Sequence, residues 1–337
     1  MTKIFLYFTI DIMAELRKDP VAGNWIVTDY KGIESSSVGI CPFCPGNEHL
    51  TPKAIREYKD CDGSWLARCF PAKSPVFVIE AVENKRAEGL YDKMDNVGAH
   101  EIIVENRSHT KTMSTFTDKE LLLLLEIYME RISDLKKDKR FKNVQVFKNH
   151  GELAGSHMFH PHSHLLATPM MAARLELEVF NSKNYYLQKE RCLLCDIIKQ
   201  EIKQNKRVIS MNAHFIALCP FASRFPFEVW ILPRSHSESF ENTQGNDIKL
   251  GLVSLILDIM KRIEKVTNAY TLVIHTSPNT YEADFQKKTV QMNEYFHWHI
   301  EILPMDQKSS KYKREDEFYV TSVTPEEAAR TLKEQAI

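Results

Sequence analysis

The sequence lacks the features of membrane-spanning and nucleic-acid-binding proteins. It contains no apolar run of about 18 residues or more, which excludes a transmembrane helix. Its 44 Lys and Arg residues nearly balance 45 Asp and Glu residues, and a net charge of −1 provides no general attraction to nucleic acid or an anionic membrane. With 43% hydrophobic and 26% charged residues, the 337-residue chain has a globular composition, and its length predicts two domains.

The N-terminus also lacks the pattern of a secretory signal. The apolar run Ile4–Ile10 is short, Asp11 interrupts it, and no small-residue cleavage site follows. We therefore expect this segment to form a strand, or to be an extension upstream of a translation start at Met13. The protein is accordingly predicted to be cytoplasmic.

Cysteines are few, and most of them are paired. Four of the seven form two C-x-x-C motifs, Cys41-Pro-Phe-Cys44 and Cys192-Leu-Leu-Cys195. A disulfide framework is not expected in a reducing cytoplasm. Two thiolates at this spacing bind one side of a tetrahedral zinc ion, and two further ligands must come from elsewhere. A redox pair, which needs a preceding strand and a following helix, remains an alternative, as does coincidence.

The chain repeats one pattern of elements. Residues 101–109 and 228–236 share a Glu, an apolar run typical of a strand, and Arg-Ser-His. In each half an amphipathic helix and a β-rich run follow, and then comes an H-x-H motif, His160-Pro-His162 or His297-Trp-His299. This order predicts an α+β fold of two tandem units with mostly antiparallel strands.

We place the units at residues 1–180 and 181–337. The repeat also supplies the missing metal ligands, because each half contributes two Cys, the His after Arg-Ser and the first His of H-x-H. Two Cys2His2 groups of the closed, structural type are therefore predicted, with two zinc ions per chain. The predicted ligands are Cys41, Cys44, His109 and His160 in the first half, and Cys192, Cys195, His236 and His297 in the second. The alternative is that the histidines after Arg-Ser only cap strands.

A cluster of histidines surrounds the first H-x-H motif. His160, His162 and His164 would share one face of a strand, and His157 lies just upstream. If His160 binds zinc, His162 is free to face a pocket. A neutral imidazole is a competent nucleophile at phosphorus, and its charge state can be tuned near pH 7. A metal-scavenging loop, or a second zinc cluster without chemistry, is the alternative.

The segment before the histidines has the composition of a phosphate-binding loop. Asn149 offers an amide, Ser156 offers a hydroxyl, and glycines such as Gly151 allow backbone N–H groups to approach an anion closely. Together with His157 and His164, these residues are the predicted phosphate and nucleotide contacts.

The order Asn149-His-Gly151, Gly155 and His160-Pro-His162 resembles the active-site segment of the galactose-1-phosphate uridylyltransferases, the transferase branch of the histidine triad (HIT) superfamily. Matches extend from about Leu16 to Leu332. They include Arg17-Lys-Asp-Pro20, Gly23-Asn-Trp25, Cys41-Pro-Phe-Cys-Pro-Gly-Asn-Glu48, Arg68-Cys-Phe-Pro-Ala-Lys-Ser-Pro75, His214-Phe-Ile-Ala217, Pro220-Phe-Ala-Ser-Arg-Phe-Pro-Phe-Glu-Val-Trp230, Phe296-His-Trp-His-Ile-Glu-Ile-Leu-Pro304 and Pro325-Glu-Glu-Ala-Ala329.

The resemblance implies two HIT-like units in one chain and a homodimer. It also implies a ping-pong reaction in which His162 attacks the α-phosphorus of a nucleotide sugar and forms a nucleotidyl-histidine. Related enzymes place zinc at the equivalents of the first predicted Cys2His2 group, and those members that have a second zinc carry the equivalents of the second group. Some relatives hold iron in the second half through an additional His; here only His275 is nearby, so zinc is favoured. Because Glu301 occupies the third position of the second motif, that motif is expected to be non-catalytic.

The sequence departs from the family pattern around the substrate. His164 replaces a Gln that holds the phosphate, and His157 replaces a Ser. The arginines that the family has after Trp25 are missing, and Lys31 is the nearby cation. Near the C-terminus, the charged run Lys311–Glu317 stands in place of the glycine-rich strand of the family. The fold and the nucleotidyl-histidine chemistry remain predicted. Specificity for galactose or uridine does not follow.

Three functions remain open from the sequence. The leading hypothesis is a nucleotidyltransferase whose partners are a nucleotide sugar and a sugar 1-phosphate, with no nucleic acid or membrane partner. Because His164 makes the motif similar to that of the hydrolase branch, a HIT-type phosphorylase or hydrolase of nucleotide sugars or dinucleotides is the first alternative. The second is an inactive, zinc-stabilised nucleotide-binding protein.

Overall fold

The computed structural model describes residues 14–30, 39–279, 290–305 and 319–335. The expectations for Ile4–Ile10, the start at Met13, Lys31 and Lys311–Glu317 lie outside these described residues. None of the helices in the described part of the chain is both long and apolar enough to cross a membrane.

Fourteen strands are described, nearly all short. They are β1 (Glu15–Lys18), β2 (Trp25–Thr28), β3 (Arg56–Lys59), β4 (Trp65–Pro71), β5 (Arg86–Glu88), β6 (Tyr91–Asp95), β7 (Ala99–Val104), β8 (Asn143–His150), β9 (His162–Thr168), β10 (Val208–Met211), β11 (Phe215–Leu218), β12 (Val229–Pro233), β13 (Tyr270–His275) and β14 (His299–Pro304). All strand pairs are antiparallel, as the sequence predicts.

Ten of these strands form one sheet that runs through both halves of the chain. Its order is β10-β11-β12-β14-β13-β8-β9-β7-β4-β3. The order is symmetric about the β13-β8 pair, because each strand of one half takes the same place, counted from this pair, as its repeat counterpart in the other half. The two halves meet where β8 pairs with β13, and the pair Phe147 and Val273 lies at the centre of the symmetric register. Each unit thereby covers the open edge of the other. The predicted duplicated α+β fold is confirmed.

A second sheet, of order β2-β1-β6-β5, belongs to the first half alone. The sequence did not predict it, because its strands are only three to five residues long and carry charged side chains at many positions. Leu16 and Met94 are its buried hydrophobic residues, and they pack with Phe77.

The described residues contain six α-helices. They are α1 (Asp118–Leu135), α2 (Ala173–Lys189), α3 (Leu193–Gln204), α4 (Asn246–Ile263), α5 (Met292–Tyr295) and α6 (Pro325–Glu334). The capping box of Thr117 and Glu120 begins α1, since each side chain accepts a hydrogen bond from the other's backbone N–H. The division predicted between residues 180 and 181 falls within α2 and remains a prediction.

Helices α1 and α4 cover one face of the large sheet and contact each other. On β8 the buried side chains of Val144 and Val146 join this core, and on β9 Leu165 and Ala167 do so. Successive side chains of a strand point to opposite faces. The even-numbered residues of β9, including His162, therefore lie on the face away from α1 and α4.

Candidate functional site

The structure brings together the four predicted ligands of the first metal centre. Cys44 Sγ lies 3.4 Å from His109 Nδ1 and 3.6 Å from His160 Nδ1, while Cys41 Sγ lies 3.7 Å from His160 Nδ1. One donor atom from each residue lies within 4.8 Å of all the others. The far nitrogen of His160, Nε2, donates to the carbonyl of Asn106 at 2.7 Å, which directs Nδ1 toward the sulfurs.

The second predicted centre has the same geometry. Cys195 Sγ lies 3.4 Å from Nδ1 of both His236 and His297, and Cys192 Sγ lies 3.8 Å from His297 Nδ1. His297 Nε2 donates to the carbonyl of Pro233 at 3.0 Å. Here the C-x-x-C motif begins a helix, because Cys192 is the N-cap of α3. Both groups can therefore hold a metal ion.

His162 begins β9 and is only 8% exposed. Its Nδ1 lies 2.8 Å from the carbonyl oxygen of His160. A carbonyl can only accept, so Nδ1 carries the proton and, in the neutral ring, Nε2 has a free lone pair. Burial, together with the positive charge of Lys148, lowers the pKa of His162 to about 4. The ring is therefore neutral near pH 7, as a nucleophile must be.

Lys148 is a residue that the sequence interpretation missed. It is 1% exposed, and its Nζ donates to Glu105 Oε2 at 2.8 Å and to the carbonyl of His162 at 3.2 Å. Glu105 in turn accepts from the hydroxyls of Tyr128 and Ser163. The charged network supports the backbone of His162 from the helix-covered face. A lysine among the apolar residues of β8 was the available signal.

His164 follows on the same face of β9. Its ring stacks on Phe147, with ring centres 5.0 Å apart and planes 10° apart, and lies 5.2 Å from the ring of His162. His164 Nδ1 lies 3.1 Å from Nε2 of the buried His100, a contact that the sequence did not predict. The ring of Phe43, from the first C-x-x-C motif, lies 5.4 Å from that of His162.

The other predicted phosphate contacts make different interactions. Asn149 Oδ1 accepts from Thr271 at 3.1 Å, and Ser156 Oγ donates to the carbonyl of Met158 at 3.0 Å. His157 is exposed. Among the described residues, no hydrogen bond or ring contact joins these side chains to His162. Their roles in binding phosphate remain predictions.

Gly151 is required by packing as well as by backbone conformation. Its φ is +81°, and a Cβ there would lie 2.7 Å from the carbonyl oxygen of Asn268. The glycine therefore allows the segment after β8 to lie against the second half of the chain. An anion contact at Gly151 remains a prediction.

The second H-x-H motif lies in a buried charge cluster. Donor atoms of Glu178, His275, His299 and Glu301 all lie within 4.8 Å of one another. His275 Nδ1 donates to Glu178 at 2.8 Å, and although burial opposes it, the two carboxylates raise the pKa of His275. Arg224 binds Glu301 at 2.6 Å. His299 is 2% exposed, so the counterpart of His162 is enclosed by charged groups. The sequence interpretation named His275 and Glu301 separately; it missed Glu178 and did not predict that these groups form one cluster.

Comparison with protein families agrees with this arrangement. The pattern for galactose-1-phosphate uridyl transferase, N-terminal domain, matches residues 15–172, and that for the C-terminal domain matches residues 176–310. The chain belongs to the galactose-1-phosphate uridylyltransferase family. Membership supports nucleotidyl transfer and implies a nucleotide sugar and a sugar phosphate as substrate classes.

Two curated relatives span nearly the whole chain. An ADP-glucose phosphorylase of Arabidopsis thaliana is 28% identical, over 96% of this chain and 93% of its own length. A galactose-1-phosphate uridylyltransferase of Thermotoga maritima is 26% identical, over 96% of this chain and 99% of its own.

Solved structures show the same fold. A uridylyltransferase structure matches with a TM-score of 0.79 at 24% identity, covering 95% of this chain and 98% of that one. The crystal structure of an Arabidopsis thaliana ADP-glucose phosphorylase with bound ADP-glucose matches with a TM-score of 0.76 at 27% identity and the same coverage.

Proposed function

We propose that the protein is a nucleotidyltransferase that moves a nucleoside monophosphate between a nucleotide sugar and a sugar 1-phosphate, with His162 as the nucleophile. The observation that carries this proposal is the hydrogen bond from His162 Nδ1 to the carbonyl of His160, because it leaves the Nε2 lone pair free. Burial and Lys148 keep the ring uncharged. Both features are what attack on phosphorus requires.

The reaction has two balanced steps. His162 Nε2 attacks the α-phosphorus, a P–N bond forms, and the bond from phosphorus to the bridging oxygen breaks, so a sugar 1-phosphate leaves with the bond electrons. A phosphate oxygen of a second sugar 1-phosphate then attacks the same phosphorus, and the P–N bond breaks. His162 returns to its neutral form, still held through Nδ1.

We also propose that both Cys2His2 groups hold structural zinc. A tetrahedral ion with Zn–S near 2.3 Å and Zn–N near 2.05 Å requires S···N separations of about 3.6 Å. The separations between Sγ and Nδ1, from 3.4 to 3.8 Å, fit this requirement. Four protein ligands leave no position for substrate, so zinc would stabilise the fold and hold the carbonyl of His160 in place.

The test of the nucleophile is a mass measurement of the intact protein after incubation with UDP- and ADP-sugars. We expect the parent protein to gain one nucleoside monophosphate and His162→Ala to gain none, while both retain the same zinc content. His214→Ala, at a half-buried histidine of the second half, is the control and should label normally. Equal labelling of His162→Ala and the parent would refute the assignment.

A second function, phosphorolysis of a nucleotide sugar, has specific support. One relative along nearly the whole chain is an ADP-glucose phosphorylase, and His164 stands where the family pattern has Gln. In this reaction inorganic phosphate attacks the nucleotidyl-histidine and releases a nucleoside diphosphate. Comparing kcat/KM for inorganic phosphate and for glucose 1-phosphate as acceptors of the labelled enzyme distinguishes the two functions.

The remaining expectations extend the proposal. The homodimer and the cytoplasmic location remain predictions, and so does the non-catalytic second unit. The buried charge cluster supports the last of these, because His299 Nε2 lies 3.7 Å from a carboxylate oxygen of Glu301. Light scattering of the purified protein tests the dimer.

A further inference from the structure

His100 and His164 form a histidine pair beside the proposed nucleophile. Strand β7 pairs with β9, and Ile102 opposes His164, so His100 is the diagonal neighbour of His164 on the same face of the sheet. His100 is 8% exposed. Its Nε2 lies 3.1 Å from His164 Nδ1, and the ring centres are 5.3 Å apart.

The backbone determines which nitrogen of His100 carries the proton. The N–H of Val76 donates to His100 Nδ1 at 3.3 Å. A backbone N–H can only donate, so His100 Nδ1 must present a lone pair, and a neutral His100 carries its proton on Nε2. That proton then points to His164, whose Nδ1 must accept it.

The proton of His164 is fixed in the same way, by its hydrogen-bond partner. With a lone pair on Nδ1, a neutral His164 carries its proton on Nε2, and no hydrogen bond within the described residues uses this N–H. His162 has the opposite arrangement, because its Nδ1 donates to His160. The two neighbouring rings therefore present different groups, a lone pair on His162 and an N–H donor on His164.

We propose that His100 is a positioning residue that holds His164 in the Nε2–H form, so that His164 donates a hydrogen bond to a phosphate oxygen of the nucleotide under attack by His162. This inference rests on the proposed function of His162. A neutral imidazole can donate from only one nitrogen, whereas a side-chain amide donates whatever its neighbours do. A histidine at this position therefore needs a partner to select the tautomer, and His100 with Val76 supplies it.

Packing and burial support the assignment. The stack on Phe147 holds the plane of the His164 ring, so the direction of Nε2–H is restricted. Burial lowers the pKa of both His100 and His164 to about 3, which keeps both rings neutral at pH 7, the state that the tautomer argument assumes.

The first experiment reads the tautomer directly and requires no substrate. Long-range ¹H–¹⁵N spectra of the full-length, zinc-loaded protein with ¹⁵N-labelled histidine distinguish protonated from unprotonated ring nitrogens. We expect His164, identified by the signals lost in His164→Gln, to be protonated on Nε2 alone. In His100→Phe we expect a mixture of both tautomers. A wild-type His164 protonated on Nδ1 would overturn the proposal, even if His100→Phe did not fold well.

The second experiment uses the rate of nucleotidyl-enzyme formation. His100→Phe should reduce this rate by roughly 10- to 100-fold, the scale of a lost hydrogen bond to a charged group. In a His164→Gln background the same substitution should change the rate by less than about threefold, because an amide needs no tautomer selection. His214→Phe, the same chemical change at a distant half-buried histidine, is the control.

The two experiments separate the failure of this inference from the failure of the proposed function. An equal loss of rate from His100→Phe in both backgrounds would show that His100 acts by packing alone, and the positioning role would be wrong. If no nucleotide sugar labels His162, the proposed function fails instead. The tautomer of His164 remains measurable in that case.

Discussion

The ring of His162 donates to the backbone carbonyl of His160, at 2.8 Å, while the ring of His160 lies among the sulfurs of Cys41 and Cys44. One short segment thus joins the proposed structural zinc to the proposed nucleophile. A change at the metal centre should therefore affect the reaction at His162 by moving the carbonyl group of His160.

This link predicts different results for the two metal centres. Cys44→Ser should lose about one zinc per chain, lower the Tm by roughly 5–10 °C and impair the labelling of His162, since zinc binding contributes to folding. Cys195→Ser should lose the other zinc but label at nearly the parental rate. Zinc content, Tm and labelling are measured on the same samples.

Cys61→Ser is the matched control, because Cys61 is exposed and outside both centres. It should retain two zinc ions and parental labelling. Parental zinc content in Cys44→Ser would show that the first metal assignment is wrong.

Lys148 should be important for stability. Lys148→Met leaves the carboxylate of Glu105 buried without its cation, and breaking a buried pair in this way costs about 3–5 kcal/mol. Urea unfolding measures the loss. The double variant Lys148→Met/Glu105→Gln should recover part of it, because no uncompensated charge remains. No recovery in the double variant would mean that Lys148 stabilises by packing and not by charge.

The charge of Lys148 should also contribute, with burial, to the acid limit of the reaction. The lowered pKa of His162, about 4, means that the neutral nucleophile persists well below pH 6. Removing the neighbouring positive charge raises this pKa, so the acid limb of the labelling rate should move to higher pH in Lys148→Met. An unchanged acid limb would indicate that burial alone sets the pKa.

Acid should destabilise the fold before the carboxylates titrate. His100 and His164 have folded-state pKa values of about 3 and His162 of about 4, whereas the unfolded values are near 6.5. Between pH 6.5 and about 4 the unfolded chain therefore binds more protons than the folded chain. The free energy of unfolding consequently decreases as the pH is lowered through this range. Each histidine contributes at most about 1.4 kcal/mol per pH unit.

Substituting one of these histidines should reduce that pH dependence. His164→Gln should lose stability less steeply than the parent between pH 6.5 and 5, as measured by urea unfolding with zinc content monitored. His214→Gln is the control for the loss of a histidine. Parallel curves for the parent and His164→Gln would contradict the burial argument.

Two glycines allow a test of backbone strain and packing. Gly151 and Gly155 share a φ of +81°, but Gly155 has a ψ of 15°, in the left-handed helical region, whereas Gly151 has a ψ of 156°, in a region that is almost exclusive to glycine. An added Cβ would also meet the carbonyl of Asn268 at 2.7 Å only at Gly151. Gly155→Ala should cost about 1 kcal/mol, and Gly151→Ala should cost roughly 1–3 kcal/mol more from strain and contact together. Thermal unfolding measures both, and equal losses would show that the backbone at Gly151 is easily relaxed.

Short-range patterns in the sequence predicted much of the fold. The helices α1 and α4 follow apolar spacing and, for α1, the Thr117–Glu120 capping box, both of which depend on residues only three or four positions apart. The duplicated order predicted the antiparallel α+β units and both Cys2His2 groups. The small second sheet escaped prediction because its strands are too short to show a period.

The candidate site was predictable where its residues repeat and unpredictable where they do not. His162 and His164 share strand β9, so their common face follows from alternation, whereas His160 precedes the strand and, contrary to the sequence expectation, turns toward the cysteines. The partners of these residues come from other strands and loops. Glu105 and His100 look in sequence like ordinary residues of β-rich segments, and the apolar neighbours of Lys148 mark it as unusual without indicating its partner.

The sequence by itself determined the repeated units and predicted the proposed metal ligands and the proposed nucleophile, because each depends on local spacing or on duplication. Only the tertiary structure decided which proton each histidine carries. The contact of Val76 with His100, and of His100 with His164, joins residues 24 and 64 positions apart. Hydrogen-bond direction is a property of atoms brought together by folding, and residue order does not contain it.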